Sequence, residues 1–436
     1  MQHTAREAAL EALMRCRRDE AWSGATIDNA INKYGLDRRD AALAAKLSLG
    51  VLQNSVLCDY YIDFYSNAKL EPKLRDILRM GVYQLLFLDR IPARAAVNEA
   101  VALCKKQGLA KASGLVNAVL RKISDNKDNL PLIPGEGKAS HLAIKYSHLE
   151  WIAEYLIENK GYEFAEAFLA ANNTEPGLGI QVNKLKISVS DYETLLVEQG
   201  VEYEPCEPEG CLILKGGAAT ELPGFEEGLF YVQDRAARIA ADIAGAKPGM
   251  NVLDSCSSPG GKSFASAIAM GNEGSITACD IHEKKLRLVN SGAQRLGISI
   301  IKTEAMDART FKPEMEAAFN LVIADVPCSG LGVIAKKPEI RNKSWDALKG
   351  LPAIQSDILE NVCRYVAPGG ALLYSTCTVL KEENEDVVNA FLQRHAEFVL
   401  EKFNICGINA ENGMHTFWPN VDGTDGFFAA KLRKIN

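Results

Sequence analysis

The sequence predicts a multidomain chain: an all-α first part, a small mixed α+β module, and a carboxyl-terminal parallel, doubly wound α/β domain of Rossmann-like type. Three observations carry this. From Val232 onward, short apolar or β-favouring runs at 252–253, 275–278, 321–324 and 371–374 alternate with helical patterns such as Ile354, Ile358, Leu359 and Val362. Such alternation builds a parallel sheet covered by helices. The first 125 residues instead repeat apolar positions at three-to-four spacing, as in Leu74, Ile77, Leu78, Val82 and Leu85, which marks amphipathic helices. Finally, 436 residues exceed one ordinary core, since a domain takes about 100–200 residues.

Between these parts the punctuation is local. Residues 125–138 gather Pro131, Pro134, Gly135 and Gly137 among polar residues and read as a linker. A helical stretch over 149–171 leads to a strand at 179–183, and shorter strand-like and helical pieces continue to residue 229. The expected domains are therefore 1–138, 139–230 and 231–436.

Composition excludes several classes. With 47% hydrophobic and 24% charged residues the chain is expected to be well packed, without long disorder. Residues 1–22 lack the basic start and apolar run of a signal peptide, and no window holds a membrane span, so a cytoplasmic protein is expected; separately, a monomer is expected. Eleven cysteines without CxxC clusters or His-rich tracts indicate free thiols and no metal site. Residues 1–150 carry 22 basic against 17 acidic side chains, whereas 151–436 carry 27 against 39, so the acidity lies in the second part. Within residues 90–122, Arg90, Arg94, Lys105, Lys106, Lys111, Arg121 and Lys122 stand against one acid, Glu99. That surface suits phosphates, although a solvated helix face has the same composition.

After the first strand of the α/β part comes Asp254-Ser-Cys-Ser-Ser-Pro-Gly-Gly-Lys-Ser263. Small residues there let the backbone approach a ligand, with a helix start behind them. The end of this loop is similar to a phosphate-binding Walker loop, but that pattern needs Gly six places before its Lys, where Cys256 stands. Pro259 also removes a backbone N–H from the phosphate cradle. Asp280 follows the next strand and Asp307 the one after. A single such Asp often caps a helix, but acids at three consecutive strand ends suit ribose hydroxyls and an adenine amine. With no GxGxxG turn, S-adenosylmethionine is favoured over NAD as cofactor.

Two cysteines stand out. Cys328, in Asp325-Val-Pro-Cys-Ser-Gly, and Cys377, in Ser375-Thr-Cys-Thr, each follow a strand of this sheet among small or polar residues. Cys16, Cys58, Cys104 and Cys363 read as ordinary buried thiols. Carbon 5 of cytosine is a poor nucleophile until a thiolate adds at carbon 6, and the carbon-5 proton must later leave so that the thiol is eliminated. Asp325, three residues before Cys328, is placed to meet ring N3.

Taken in order, the loop at 254–263, Asp325-Val-Pro-Cys-Ser-Gly, Ser375-Thr-Cys-Thr and the closing Asp422-Gly-Thr-Asp-Gly-Phe-Phe resemble the motifs of the RsmB/Sun RNA cytosine-C5 methyltransferase family. Tyr231-Val-Gln-Asp-Arg resembles the entry to that family's catalytic domain. The resemblance implies Cys377 as nucleophile, Cys328 in product release, and cofactor binding by Cys256, Ser257, Ser258, Pro259, Gly260, Gly261, Lys262, Asp280, Asp307 and Asp325. Two departures exist. Ser257 and Ser258 replace the usual alanines, and Gln181 replaces an arginine, removing a charge from the middle module.

Leu74-Arg-Asp-Ile-Leu-Arg-Met-Gly-Val-Tyr-Gln84, Val97-Asn-Glu-Ala-Val101 and Leu115-Val-Asn-Ala-Val-Leu120 resemble the NusB helical RNA-binding fold. Paired with the catalytic motifs, a NusB-like head implies 16S rRNA as the RNA partner. The alternatives are a tRNA or large-subunit rRNA cytosine-C5 methyltransferase, or a non-catalytic NusB-like RNA-binding or assembly factor.

Overall fold

The computed structural model describes residues 4–19, 23–215 and 217–435. The reading of 1–22 as free of a signal peptide falls outside the described residues at 1–3 and 20–22. The chain forms two compact units, Met1–Glu175 with Ile334–Trp345, and Pro176–Val333 with Asp346–Asn436. This division falls at Glu175, inside the stretch 139–230 that the sequence groups as one module.

The first unit is all helical, as its apolar spacing predicts: α1 (Ala5–Asp19), α2 (Ser23–Tyr34), α3 (Arg38–Gln53), α4 (Ser55–Tyr65), α5 (Pro72–Phe87), α6 (Ala93–Lys106), α7 (Ser113–Asp125), α8 (Ala139–Lys145), α9 (Glu150–Lys160) and α10 (Tyr162–Ala171). Asp37 starts α3 by accepting the Asp40 N–H at 2.8 Å, and Pro72 occupies the first turn of α5. Helix α5 is buried on nearly every side, including Asp76 and Gln84, so it is the central helix of the bundle. Glycines let its neighbours close in. A Cβ at Gly81 would lie 2.5 Å from the Leu120 side chain of α7, and one at Gly50 in α3 would lie 1.9 Å from the Tyr83 ring. Among the described residues no single helix is long and apolar enough to cross a membrane.

The segment Ile334–Trp345 is built into this helical unit by its polar groups. Arg341 is fully buried and donates to the carbonyls of Gln53, Ser147 and Pro338 and to Asn173 Oδ1. Glu339 accepts from the N–H and hydroxyl of Ser23 at 3.1 and 2.7 Å. Trp345 packs on Trp151, whose indole N–H donates to the Lys343 carbonyl at 3.0 Å. A buried guanidinium satisfied by carbonyls holds its segment firmly, because each lost partner leaves a desolvated polar group.

The second unit begins with β1 (Leu178–Val182), α11 (Val189–Glu198), β2 (Tyr203–Cys206), β3 (Cys211–Leu214) and β4 (Phe230–Val232), an antiparallel sheet in the order β2-β3-β1-β4. Gln181 is buried here, its amide donating to the Gln233 carbonyl at 3.1 Å and to Cys211 Sγ at 3.2 Å. This position is interior, so its lack of charge is a packing matter and not a lost surface contact.

The chain then runs α12 (Arg235–Ala244), β5 (Asn251–Asp254), α13 (Gly261–Ala269), β6 (Ser275–Asp280), α14 (Glu283–Leu296), β7 (Ile301–Ala305), β8 (Phe319–Asp325), α15 (Trp345–Leu348), α16 (Leu351–Val362), β9 (Val366–Thr376) and α17 (Glu385–Arg394). It closes with β10 (Phe398–Leu400), β11 (Phe403–Ile405), β12 (Ile408–Ala410), β13 (Met414–Phe417), α18 (Pro419–Asp422) and β14 (Phe427–Lys434). The large sheet has the order β10-β14-β9-β8-β5-β6-β7. Strands β5 to β9 are parallel, as expected, but β14 adds antiparallel to β9, with β10 and β13 antiparallel to β14. The sheet is therefore mixed, an antiparallel edge being common on doubly wound sheets. Consecutive strands run from β5 through β6 to β7 on one side, and β8 returns to the other side of β5. Ligands of such sheets bind at that reversal, beyond the carboxyl ends of the strands.

Candidate active site

Strand register places the chemistry. Asp254 closes β5, Asp280 closes β6, Asp325 closes β8 and Thr376 closes β9, with Asp325 paired to Ser375 across the β8–β9 ladder. Cys328 and Cys377, three residues and one residue beyond their strands, are thereby brought together. Their Sγ atoms lie 3.1 Å apart, and the Cys377 N–H donates to Cys328 Sγ at 3.3 Å. Both are half-buried, while Cys16, Cys58, Cys104 and Cys363 are buried, as the sequence reading expects. The hydrogen bond with Cys377 first, then burial, pushes the Cys328 thiol well up. Cys256 is pushed up by burial, reinforced by Asp254, Asp325 and Asp280, which leaves it protonated and unreactive.

Asp325 joins the loop between β5 and α13 to the thiol strands. Its carboxylate lies 2.6 Å from Lys262 Nζ and accepts the Ser375 hydroxyl at 2.8 Å. Lys262 is itself buried and sits 4.8 Å from the centre of the Phe427 ring, in the closing motif. Asp280 accepts the His282 N–H at 2.8 Å. Asp307 is engaged by Arg309 at 3.0 and 2.7 Å, hydrogen bonds that hold its carboxyl below the usual range.

The loop between β5 and α13 is shaped by what it lacks. Gly260 has φ +114°, and a Cβ there would lie 2.5 Å from the Phe264 ring; one at Gly261 would meet the Gln233 amide at 3.0 Å. Ser257 N–H donates to the Cys279 carbonyl at 2.7 Å, anchoring the loop across β6. Asp254 is fully buried and accepts the Ser263 hydroxyl at 2.6 Å on one oxygen. Its other oxygen, with the hydroxyls of Ser257 and Ser258, is buried without a partner. Burial raises the Asp254 carboxyl to about 6, against the opposing effect of Ser263.

Three groups escape a reading of the sequence. Gln355 of α16, Glu383 and Asn384 are buried beside the thiol loops. Asn384 donates to the Thr378 carbonyl at 3.0 Å and receives the Thr376 hydroxyl at 2.6 Å. In sequence, 381–386 is a charged run that reads as a solvated surface, and only the fold turns Glu383 and Asn384 inward. Gly332 is the other hidden element. Its N–H donates to the Cys377 carbonyl at 3.0 Å and its carbonyl accepts from Gly426 at 2.8 Å. A Cβ at Gly332 would lie 1.8 Å from the Gly426 carbonyl oxygen, a backbone atom with no rotamer to yield. Gly332→Ala is expected to lower stability by about 1–3 kcal/mol, read as a fall in the denaturant midpoint; an unchanged midpoint would contradict this packing.

Residues 243–433 match the family described as 16S rRNA methyltransferase RsmB/F, residues 3–125 match the NusB family, and residues 148–220 match an RsmF/B-like ferredoxin-like methyltransferase domain. The chain is 34% identical over 444 residues to a probable ribosomal RNA small subunit methyltransferase B of Bacillus subtilis, covering 98% of each protein. It is also 34% identical over 445 residues to the probable ribosomal RNA small subunit methyltransferase B of Synechocystis, covering 99% of each. Its fold is similar to the crystal structure of PH0851, with a TM-score of 0.81 at 28% identity over 98% of each chain.

Proposed function

Because the chain belongs to the family of the 16S rRNA methyltransferases RsmB/F, we propose that it methylates carbon 5 of a cytosine in 16S rRNA, with Cys377 as the nucleophile. The observation that carries this reading is the pair of thiols at 3.1 Å, on loops that follow adjacent parallel strands. S-adenosylmethionine, when bound, supplies the electrophilic methyl group. Cys377 Sγ forms a bond to carbon 6 of the flipped-out base, which makes carbon 5 electron-rich. Negative charge develops at ring N3 during this attack and is neutralised by a proton passed to N3 through the Asp325 carboxyl group, which Lys262 and Ser375 orient. After methylation the carbon-5 proton passes to a solvent base, its C–H electron pair restores the C5=C6 double bond, and Cys377 departs as the S–C6 bond breaks, with Cys328 assisting that elimination.

The cofactor loop fits this reading. A ligand bearing N–H donors and positive charge would satisfy the unpartnered Asp254 oxygen, and the idle hydroxyls of Ser257 and Ser258 add further contacts. Gly260 and Gly261 let the loop pack closely on Phe264 and Gln233, and Asp280 at the next strand end would take the ribose hydroxyls.

A pH dependence follows from Asp254. Its carboxyl is raised to about 6 in the ligand-free protein, so a cationic cofactor binds the charged form best above that pH. Below it, protonation competes, and the dissociation constant is expected to rise toward about tenfold per pH unit. Ligand-free stability runs the opposite way: with the native value raised, the protonated form contributes stability below the unfolded carboxylate value, and that contribution is lost as pH rises through about 6. Calorimetric titration of S-adenosylmethionine from pH 5 to 7.5 reads the first effect, and Asp254→Asn should flatten it.

The RNA side of the reading rests on the helical unit, where all seven basic residues between Arg90 and Lys122 are exposed. Such a surface binds phosphates in a salt-dependent way. The decisive experiment is methylation of 16S rRNA, large-subunit rRNA and tRNA with labelled S-adenosylmethionine, followed by mapping of the modified base. Label confined to tRNA or large-subunit rRNA would replace the proposed substrate, and no label in any RNA would support a purely RNA-binding role.

A further inference from the structure

Two thiols 3.1 Å apart pose a question of proton placement. The Cys377 N–H aimed at Cys328 Sγ favours negative charge on Cys328, the sulfur that is not the nucleophile in the reading above. A buried carboxylate opposes that outcome. Glu383 is 1% exposed, and its Oε2 accepts the N–H of Ser329, the residue after Cys328, at 2.9 Å. The same oxygen accepts the Gln355 amide at 2.7 Å, and that amide also donates to the carbonyl of Pro327, the residue before Cys328, at 3.0 Å. Both peptide groups flanking Cys328 are thus clamped. Ser329 and Thr378 hydroxyls, 2.6 Å apart, tie this loop to the Cys377 loop. The second Glu383 oxygen is buried without a partner, and no cation among the described residues pairs with this carboxylate.

We propose that Glu383, clamped with Gln355, is a positioning residue that keeps the shared proton on Cys328 and leaves Cys377 as the thiolate. This rests on the assignment of Cys377 as nucleophile. It adds what makes two adjacent cysteines unequal: one buried negative charge fixed within a peptide of one sulfur. Besides Cys377, Glu383 is the charged group that raises the Cys328 thiol, and the Tyr374 hydroxyl donates to the Glu383 carbonyl at 2.6 Å. With the two sulfurs only 3.1 Å apart, one charge fixed on the Cys328 side biases the two thiols about threefold at an effective dielectric of about 20.

The test uses the full-length protein without RNA or cofactor. Limiting iodoacetamide, whose carbon gains a bond to a thiolate sulfur as iodide leaves, is followed by peptide mass mapping of both cysteines. In the unaltered protein Cys377 should be labelled about threefold or more faster than Cys328. Glu383→Gln keeps the shape and removes the charge, and the ratio should fall about threefold. Gln355→Met loosens the clamp but leaves the charge, so the order of labelling should persist while methyl transfer slows. Should Glu383→Gln fail to fold, Glu383→Asp draws the charge back by one methylene and should lower the ratio by a smaller factor. Cys328 labelled first in the unaltered protein, or an unchanged ratio in the folded Glu383 variant, overturns the proposal. Absence of methyl transfer to any RNA would instead overturn the functional reading and leave the labelling result standing.

Discussion

Cys377→Ala is expected to lower methyl transfer about 10⁴-fold or more, with no covalent RNA complex formed. The size follows from chemistry: without an S–C6 bond the ring carbon never becomes electron-rich, and no neighbouring group replaces a thiolate at that position. Cys328 is the nearest sulfur; its hydrogen bond with Cys377 is lost in this variant, but burial and the Glu383 carboxylate still raise its thiol. The substitution should leave the fold intact, because Cys377 is half-buried at the end of β9 and its carbonyl still accepts from Gly332. S-adenosylmethionine binding, measured on the same preparation, should be unchanged. Methylation at a tenth of the normal rate or better would remove Cys377 from the nucleophilic role.

Cys328→Ala should behave differently. Attack and methylation proceed, but elimination stalls, so protein accumulates on RNA as a species of lower mobility in denaturing gels. Turnover is expected to fall about 10²- to 10³-fold, while a single round of methylation on the bound RNA persists. Combining both substitutions should abolish the complex, since Cys377 makes the bond. Normal turnover by Cys328→Ala without an adduct would show that release does not need this thiol. The two variants together separate attack from release, which neither does alone.

Much of this was legible before any coordinates. The change from three-to-four spacing to alternating strands and helices located the helical part and the α/β part, because apolar periodicity is written within a dozen residues. The placement of Asp254, Asp280, Asp325, Cys328 and Cys377 at strand ends came from the same local signal joined to turn residues. Less was legible where burial depends on distant neighbours. Gln181 appeared as a missing surface charge and is an interior amide bonded to Gln233 and Cys211. Glu383 lies in the charged run 381–386, which carries no local mark of burial, and is buried. The antiparallel β14 is not legible locally, since its pairing with β9 joins residues as far apart as Ala371 and Arg433.

By itself, then, the sequence determined which chemical groups are present and which strand end each one follows. Tertiary structure decided how they meet: the thiols at 3.1 Å across 49 positions, Lys262 on Asp325, Glu383 on the Ser329 N–H, and Ile334–Trp345 within the helical unit. The physical reason is range. Helix and strand formation answer to neighbouring residues, whereas a distance between two side chains depends on strand order and register, and on every buried polar group finding its partner.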